Sequence, residues 1–214
     1  MFPRLYAIID GELLRTSEPA FAGMLADSGV ELIQYRNKKI SPQNLFRICR
    51  NLTEQLHPGG TRLIVNDRPD VAALAGAGGV HVGQEDLGVE QARALCPHPA
   101  WVGISTHTLD EVRQAAATSA DYVAVGPIFL TRTKRNPEPV VGTDFIRQAR
   151  RLTDKPLVAI GGITLENAGE VYAAGADSVA VARDLAEAGD PAQHARRFLT
   201  LYADRGGGRP PSLN

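Results

Sequence analysis

Apolar residues gather in eight short runs along the chain: Leu5 to Asp10, Glu31 to Lys38, Arg62 to Asp67, Gly79 to Gly83, Val102 to Ser105, Tyr122 to Pro127, Pro156 to Gly162 and Ser178 to Arg183. Between them the apolar positions recur at helical spacing, and that alternation predicts βα units built on a parallel sheet. Leu157-Val158-Ala159-Ile160 is apolar at every position, as a strand covered on both faces requires. Helix starts are written between the runs. Ser41-Pro42 and Asp190-Pro191 place a capping oxygen ahead of a proline whose missing N–H costs nothing in a first turn. Thr108-Leu109-Asp110-Glu111 reads as a capping box.

Weak internal repetition points to the same unit. Gly78-Gly79-Val80-His81-Val82-Gly83, Ala120-Asp121-Tyr122-Val123-Ala124-Val125-Gly126 and Ala176-Asp177-Ser178-Val179-Ala180-Val181 each read as a helix end turning into a buried strand. Eight βα units in about 200 residues predict a closed (β/α)8 TIM barrel, an α/β fold in one catalytic domain over residues 1–204. An open doubly wound sheet is the rival. Gly76-Ala77-Gly78-Gly79 precedes a strand instead of following one, however, and no GxxxxGK[ST] run is present. Residues 205–214 are rich in Gly and Pro and read as a disordered tail outside the domain.

Composition narrows the function classes. With 43% hydrophobic and 22% charged residues over 214 positions, the chain has the profile of a soluble globular protein. A domain of this size hides roughly 70% of its unfolded surface, so its core needs neither disulfide nor structural metal. Lys and Arg number 23 against 24 Asp and Glu, a net charge of −1, which argues against nucleic acid or an anionic membrane as partner. Any anion site must then be local. Cys49 and Cys96 are isolated and the N-terminus lacks an apolar leader, so a reducing, cytoplasmic compartment is expected. No apolar run approaches the roughly 18 residues of a membrane span. The five histidines are scattered, which disfavours zinc chemistry.

Polar residues collect where the runs end, the mouth of such a barrel. In Gln34-Tyr35-Arg36-Asn37-Lys38 the two-residue period puts Gln34, Arg36 and Lys38 on one face, an inward anion site unless the segment is a solvated edge. Asn66-Asp67-Arg68-Pro69 ends the third run and Gly83-Gln84-Glu85-Asp86 the fourth. Asp67 alone is as consistent with a helix cap as with a metal ligand. Paired with Asp86 on the adjacent strand it suits Mg²⁺, which takes one or two carboxylates and fills its shell with water and phosphate oxygens. Thr131, Thr133 and Lys134, after the sixth run, offer hydroxyls and a cation to phosphate. Gly161-Gly162-Ile163-Thr164 either brings backbone N–H groups close to an oxyanion at a helix start or is a tight turn that needs glycine. His81 reads as a hydrogen-bonded interior residue, and His107 carries no assignment.

In their order and spacing these segments resemble thiamine phosphate synthase, from Leu5 to about Leu185. The resemblance implies a transferase that joins 4-amino-2-methyl-5-hydroxymethylpyrimidine diphosphate to a thiazole phosphate and releases pyrophosphate. It implies that Gln34 holds the pyrimidine, that Arg36, Lys38, Asn66 and Lys134 hold the diphosphate, and that Asp67 and Asp86 bind Mg²⁺. Thr131, Thr133 and the backbone at Gly162 would hold the thiazole phosphate, with Ser105 near the reacting centre. Arg36, Lys38, Ser105 and Lys134 form the implied catalytic set. The eighth strand departs from the family pattern, a Val-Ser-Ala-like stretch whose backbone holds phosphate. Here Ala182-Arg183-Asp184 stands, so Arg183 either adds a cation or pairs with Asp184. Thr106 before His107 and the loop from Arg135 to Pro139 also vary.

Other readings give different expectations. A thiazole tautomerase of the same branch is expected to carry a histidine where this chain has Pro127. A non-catalytic binder of thiamine intermediates would lack a metal carboxylate or a diphosphate cation. An unrelated aldolase or isomerase would need Lys155 or Lys38 as a Schiff-base lysine. The partners expected are the two small-molecule substrates, and a homo-oligomer is left open.

Overall fold

The computed structural model describes residues 1–131 and 139–203. Its strands are β1 (Leu5–Asp10), β2 (Leu32–Arg36), β3 (Arg62–Asn66), β4 (Gly79–Val82), β5 (Trp101–Thr106), β6 (Tyr122–Val125), β7 (Leu157–Ile160) and β8 (Ser178–Val181). The helices are α1 (Glu18–Asp27), α2 (Pro42–Leu56), α3 (Pro69–Ala75), α4 (Val89–Leu95), α5 (Leu109–Ala116), α6 (Gly142–Arg150), α7 (Ala168–Ala173), α8 (Arg183–Ala186) and α9 (Pro191–Ala203). The strands pair in parallel in sequence order and β8 returns to β1, so the sheet is the predicted closed (β/α)8 barrel. Among the described residues no helix is long and apolar enough to cross a membrane.

Two-residue periodicity sorts the side chains into two cores. Ala7, Ile9, Ile33, Tyr35, Val65, Val80, Val82 and Val123 point outward and pack against the helices. Tyr6, Ile8, Leu32, Ile64, Tyr122, Ala124, Val158 and Ala180 fill the barrel interior. Gly103 makes room for the largest of these, since a Cβ there would lie 2.0 Å from Cζ of Tyr122.

Several strands are shorter than their apolar runs. β2 ends at Arg36, β6 at Val125, β7 at Ile160 and β8 at Val181. The remaining residues of each run leave the ladder and build the mouth. Ile128 N–H bonds to Ile160 C=O at 2.9 Å and Phe129 N–H to Gly161 C=O at 2.9 Å, which ties the loop after β6 to the loop after β7.

The predicted caps form. Ser41 Oγ accepts from Asn44 N–H at 3.3 Å, and Asp190 Oδ1 accepts from Gln193 N–H at 2.9 Å. Thr108 Oγ1 accepts from Glu111 N–H at 3.2 Å. Glu111 reaches one residue further than a standard box, taking the His107 N–H at 2.6 Å. The Ala-Asp repeats have a physical reason as well. Asp121 Oδ2 accepts from Val102 N–H at 2.7 Å and pairs with Arg93 of α4. Asp177 Oδ2 accepts from Leu157 N–H at 2.8 Å and pairs with Arg150 of α6 at 2.7 Å. Each aspartate clamps a strand start to a helix at the barrel base. Asp177→Ala would leave the Leu157 N–H without this acceptor and remove the ion-pair partner of Arg150, which keeps the carbonyls of Thr153 and Lys155, and we expect a stability loss of about 2–3 kcal/mol. A lower denaturant midpoint at unchanged slope would show it.

Candidate active site

The strand ends and the loops after them enclose a cavity of about 1280 Å³ at the C-terminal face of the barrel. Its lining includes Gln34, Arg36, Lys38, Asn66, Asp67, Asp86, Ser105, Thr131, Gly162, Ala182 and Arg183, so one mouth brings together every sequence-predicted site residue that is described. Thr133 and Lys134 lie outside the described residues.

One wall is ionic. Asp10, at the end of β1 and only 3% exposed, accepts from Arg36 Nη1 at 2.5 Å, and its other oxygen takes the Glu12 N–H at 3.0 Å. The guanidinium is therefore held by a buried anion. Lys38 lies beyond the end of β2, yet its Nζ reaches Asp67 Oδ2 at 2.7 Å. Asp67 does not cap α3, whose N-cap position is Arg68 with no side-chain capping bond. It has φ of 60°, left-handed backbone that aspartate tolerates better than most residues, and no other non-glycine residue among those described has positive φ. Strain of this kind collects at functional sites.

Asp86 turns back to accept the Gly83 N–H at 2.8 Å. Burial pushes its carboxyl above the usual carboxylate range; the Gly83 bond opposes this and the negative charge of Asp67 adds to it. Two oxygen-donor side chains on adjacent strand ends thus carry more negative charge than Lys38 offsets. Among the described residues no group of three or more His, Cys, Asp or Glu is placed to hold a metal. A pair of carboxylates fits a hard divalent ion that keeps water and substrate oxygens in its shell.

The floor is polar. Gln34 Nε2 donates to Tyr6 Oη at 2.7 Å, Tyr6 and Tyr122 hydroxyls meet at 2.9 Å, His81 Nδ1 lies 3.1 Å from Tyr122 Oη, and His81 Nε2 lies 2.9 Å from Ser105 Oγ. His81 is the hydrogen-bonded interior residue expected, but it also lines the cavity. His107 donates from Nδ1 to the Gly126 carbonyl at 2.6 Å, and His107 and Glu111 join the wall.

The far side comes from β7 and β8. Gly162 has φ of 62°, and a Cβ there would lie 2.5 Å from the Leu130 carbonyl oxygen. Glycine is demanded by a tight turn and by the close approach of the neighbouring loop, and the same turn borders the cavity. Thr164 opens a turn rather than a helix, because its N–H bonds to Asn167 Oδ1 at 2.8 Å and α7 begins at Ala168. Arg183 is paired with Glu187, one helical turn on, and not with Asp184. Asp184 instead accepts from His194 Nε2 at 2.6 Å and from Leu165 N–H at 3.1 Å, fastening α9 and the loop after β7 to α8. Lys155 is no Schiff-base candidate. Its Nζ donates to the carbonyls of Thr118 at 2.8 Å and Ala120 at 2.6 Å, ahead of β6 at the barrel base, and Lys38 is ion-paired.

Asp10, Tyr6, Tyr122, His81 and the Asp184–His194 pair were not picked out as site residues from the sequence. Asp10 had a signal, since it ends the first run as Asp67 ends the third.

Comparison with known proteins identifies the family. The chain is 49% identical over 205 residues to the thiamine-phosphate synthase of Koribacter versatilis, covering 93% of this chain and 95% of that one. The solved structure of thiamine phosphate pyrophosphorylase from Pyrococcus furiosus superposes with a TM-score of 0.86 at 29% identity, covering 95% of this chain and 97% of that one. A 3-hexulose-6-phosphate synthase structure, at 19% identity, TM-score 0.67 and coverage of 92% and 99%, shares the fold alone. Residues 5–185 match the family described as thiamine monophosphate synthase. The chain belongs to the thiamine monophosphate synthase family and is a transferase of thiamine biosynthesis.

Proposed function

We propose that the protein condenses 4-amino-2-methyl-5-hydroxymethylpyrimidine diphosphate with a thiazole phosphate, giving thiamine phosphate and pyrophosphate, with Mg²⁺ as cofactor. The observation that carries this reading is the single mouth in which Arg36 and Lys38 adjoin the Asp67–Asp86 pair above the polar floor of Gln34 and Ser105. Gln34 holds the pyrimidine, while Arg36, Lys38 and Asn66 hold the diphosphate, joined by Lys134 on the family resemblance. Thr131, the Gly162 and Ala182 backbone and Arg183 border the thiazole phosphate, with Thr133 added on the same resemblance. Asp67 and Asp86 hold Mg²⁺, which when bound neutralises charge on the departing pyrophosphate.

The carbon–oxygen bond to the diphosphate breaks first, and its electron pair leaves with pyrophosphate. The resonance-stabilised pyrimidine cation is captured by the thiazole nitrogen lone pair, forming the carbon–nitrogen bond. No protein base, protein nucleophile or redox partner is needed. What the residues supply is charge placed against the leaving group and two substrates held in attack geometry. Purified protein given both substrates should form thiamine phosphate and pyrophosphate in equal amounts with Mg²⁺, and none with EDTA. A folded protein that makes no product, or one that rapidly isomerises the thiazole carboxylate phosphate tautomer alone, would overturn the proposal.

A further inference from the structure

The floor of the cavity holds an unbroken line of side chains from five strands: Gln34 of β2, Tyr6 of β1, Tyr122 of β6, His81 of β4 and Ser105 of β5. We propose that Tyr6, Tyr122 and His81 are positioning residues, a one-way hydrogen-bond relay that fixes Gln34 as an acceptor and Ser105 as a donor toward the cavity. The relay thereby selects an aminopyrimidine over its oxo counterpart. The selectivity rests on the function proposed above; the relay itself does not.

The direction proposed for it starts from the Gln34 end. The Gln34 amide nitrogen can only donate, so Tyr6 Oη accepts from it at 2.7 Å. In the proposed relay Tyr6 donates to Tyr122 Oη at 2.9 Å and Tyr122 donates to His81 Nδ1 at 3.1 Å, contacts that admit either direction and that the Gln34 donation at one end orients this way. With Nδ1 accepting, the neutral imidazole carries its proton on Nε2 and donates it to Ser105 Oγ. The Ser105 hydroxyl hydrogen is left for the cavity, and Gln34 offers Oε1 from the opposite end. Tyr6 and Tyr122 are 1% and 0% exposed, and burial holds both phenols protonated far above neutral pH. Gly103 keeps the space in which the Tyr122 ring sits, and Tyr122 stacks on the His81 ring at 5.5 Å.

An acceptor and a donor facing one cavity match a ring that offers an amino group as donor and a ring nitrogen as acceptor, as an aminopyrimidine does. In the oxo counterpart the carbonyl and ring N–H reverse the pattern, leaving buried polar groups facing like partners. In this scheme the three middle residues act by deciding what the two end residues present.

The test pairs the tautomer of His81 with substrate choice. Nitrogen-15 NMR of the ligand-free protein should show His81 protonated on Nε2, and Tyr122→Phe, which keeps the ring and its packing, should shift it toward a tautomer mixture. The wild-type enzyme should prefer the amino over the oxo pyrimidine diphosphate in kcat/KM by about 10³-fold or more, and Tyr122→Phe should reduce that ratio at least about 10-fold. His81 protonated on Nδ1 in the wild type means the relay runs the other way and overturns the proposal, whatever the enzyme makes. An Nε2 tautomer with unchanged selectivity in Tyr122→Phe overturns it too. If the wild type turns over neither pyrimidine, the assigned function fails. Calorimetric affinities of the free amino and oxo pyrimidines for wild type and Tyr122→Phe then decide the selectivity: an amino preference lost in the variant supports it, and equal affinities overturn it.

Discussion

Asp86→Asn is expected to lower Mg²⁺-dependent turnover by about 10³-fold or more while raising the melting temperature at neutral pH. The two effects have one cause. Asp86 is pulled partly out of water beside Asp67, which holds its carboxyl above the ordinary range. Above the raised folded value the group is ionised in the folded and the unfolded chain alike, so there the folded state bears the whole penalty. The penalty lifts as pH falls through the raised folded value toward the unfolded one, because the folded state takes up the proton first. Asparagine keeps an oxygen for the Gly83 N–H and carries no charge at any of these pH values. The variant should therefore be more stable than the wild type at neutral pH, with the gap closing on acidification; melting curves from neutral to acidic pH would show this. Asp67→Ala should abolish turnover as well, and by removing its negative charge it should ease the upward shift on Asp86. Wild-type turnover in either variant would remove the metal assignment.

Arg36→Ala should be costly for a second reason. It removes a cation from the leaving group, worth up to about 3 kcal/mol, or roughly 10²-fold in turnover. It also leaves Asp10, 3% exposed, as a buried carboxylate without its partner, and breaking such a pair costs about 3–5 kcal/mol of stability. Adding Asp10→Asn to Arg36→Ala should restore most of the stability and none of the turnover. Urea unfolding and kcat/KM, measured on the single and double variants, separate the two losses. Full recovery of turnover in the double variant would mean that Arg36 serves only to neutralise Asp10.

Local signals carried much of this fold into the sequence. The caps at Ser41 and Asp190 are read within a few residues of the helices they start, and the Val-rich runs mark strands buried on both faces. The apolar runs extend past the strands for a physical reason: Lys38 and Gly162 continue a run in sequence after the backbone has left the ladder. Arg36, Lys38, Asp67 and Asp86 stood out because charge at the end of a buried strand is expensive unless a ligand or partner meets it. Asp10 precedes Gly11 and looks like a turn residue; its buried partner comes from the neighbouring strand. Tyr6 and Tyr122 look like core aromatics, and their hydroxyls meet across 116 positions, a pairing no local pattern contains. Arg183 reads from the sequence as either an added cation or a partner of Asp184, and its partner is Glu187, four residues on, which helical spacing favours.

The separation of the two cores bears on how such a barrel changes its chemistry. The outward-facing residues and the aspartate clamps at the base hold strands to helices without reaching the mouth. The inward layer is small by comparison and includes residues such as Ala124 and Ala180 beside its two tyrosines. Substitutions in the outer shell should register as melting temperature and those in the inner layer as ligand preference. A shell of this kind can keep folding while the interior is recarved for another ligand, and the 3-hexulose-6-phosphate synthase structure shares this architecture at 19% identity.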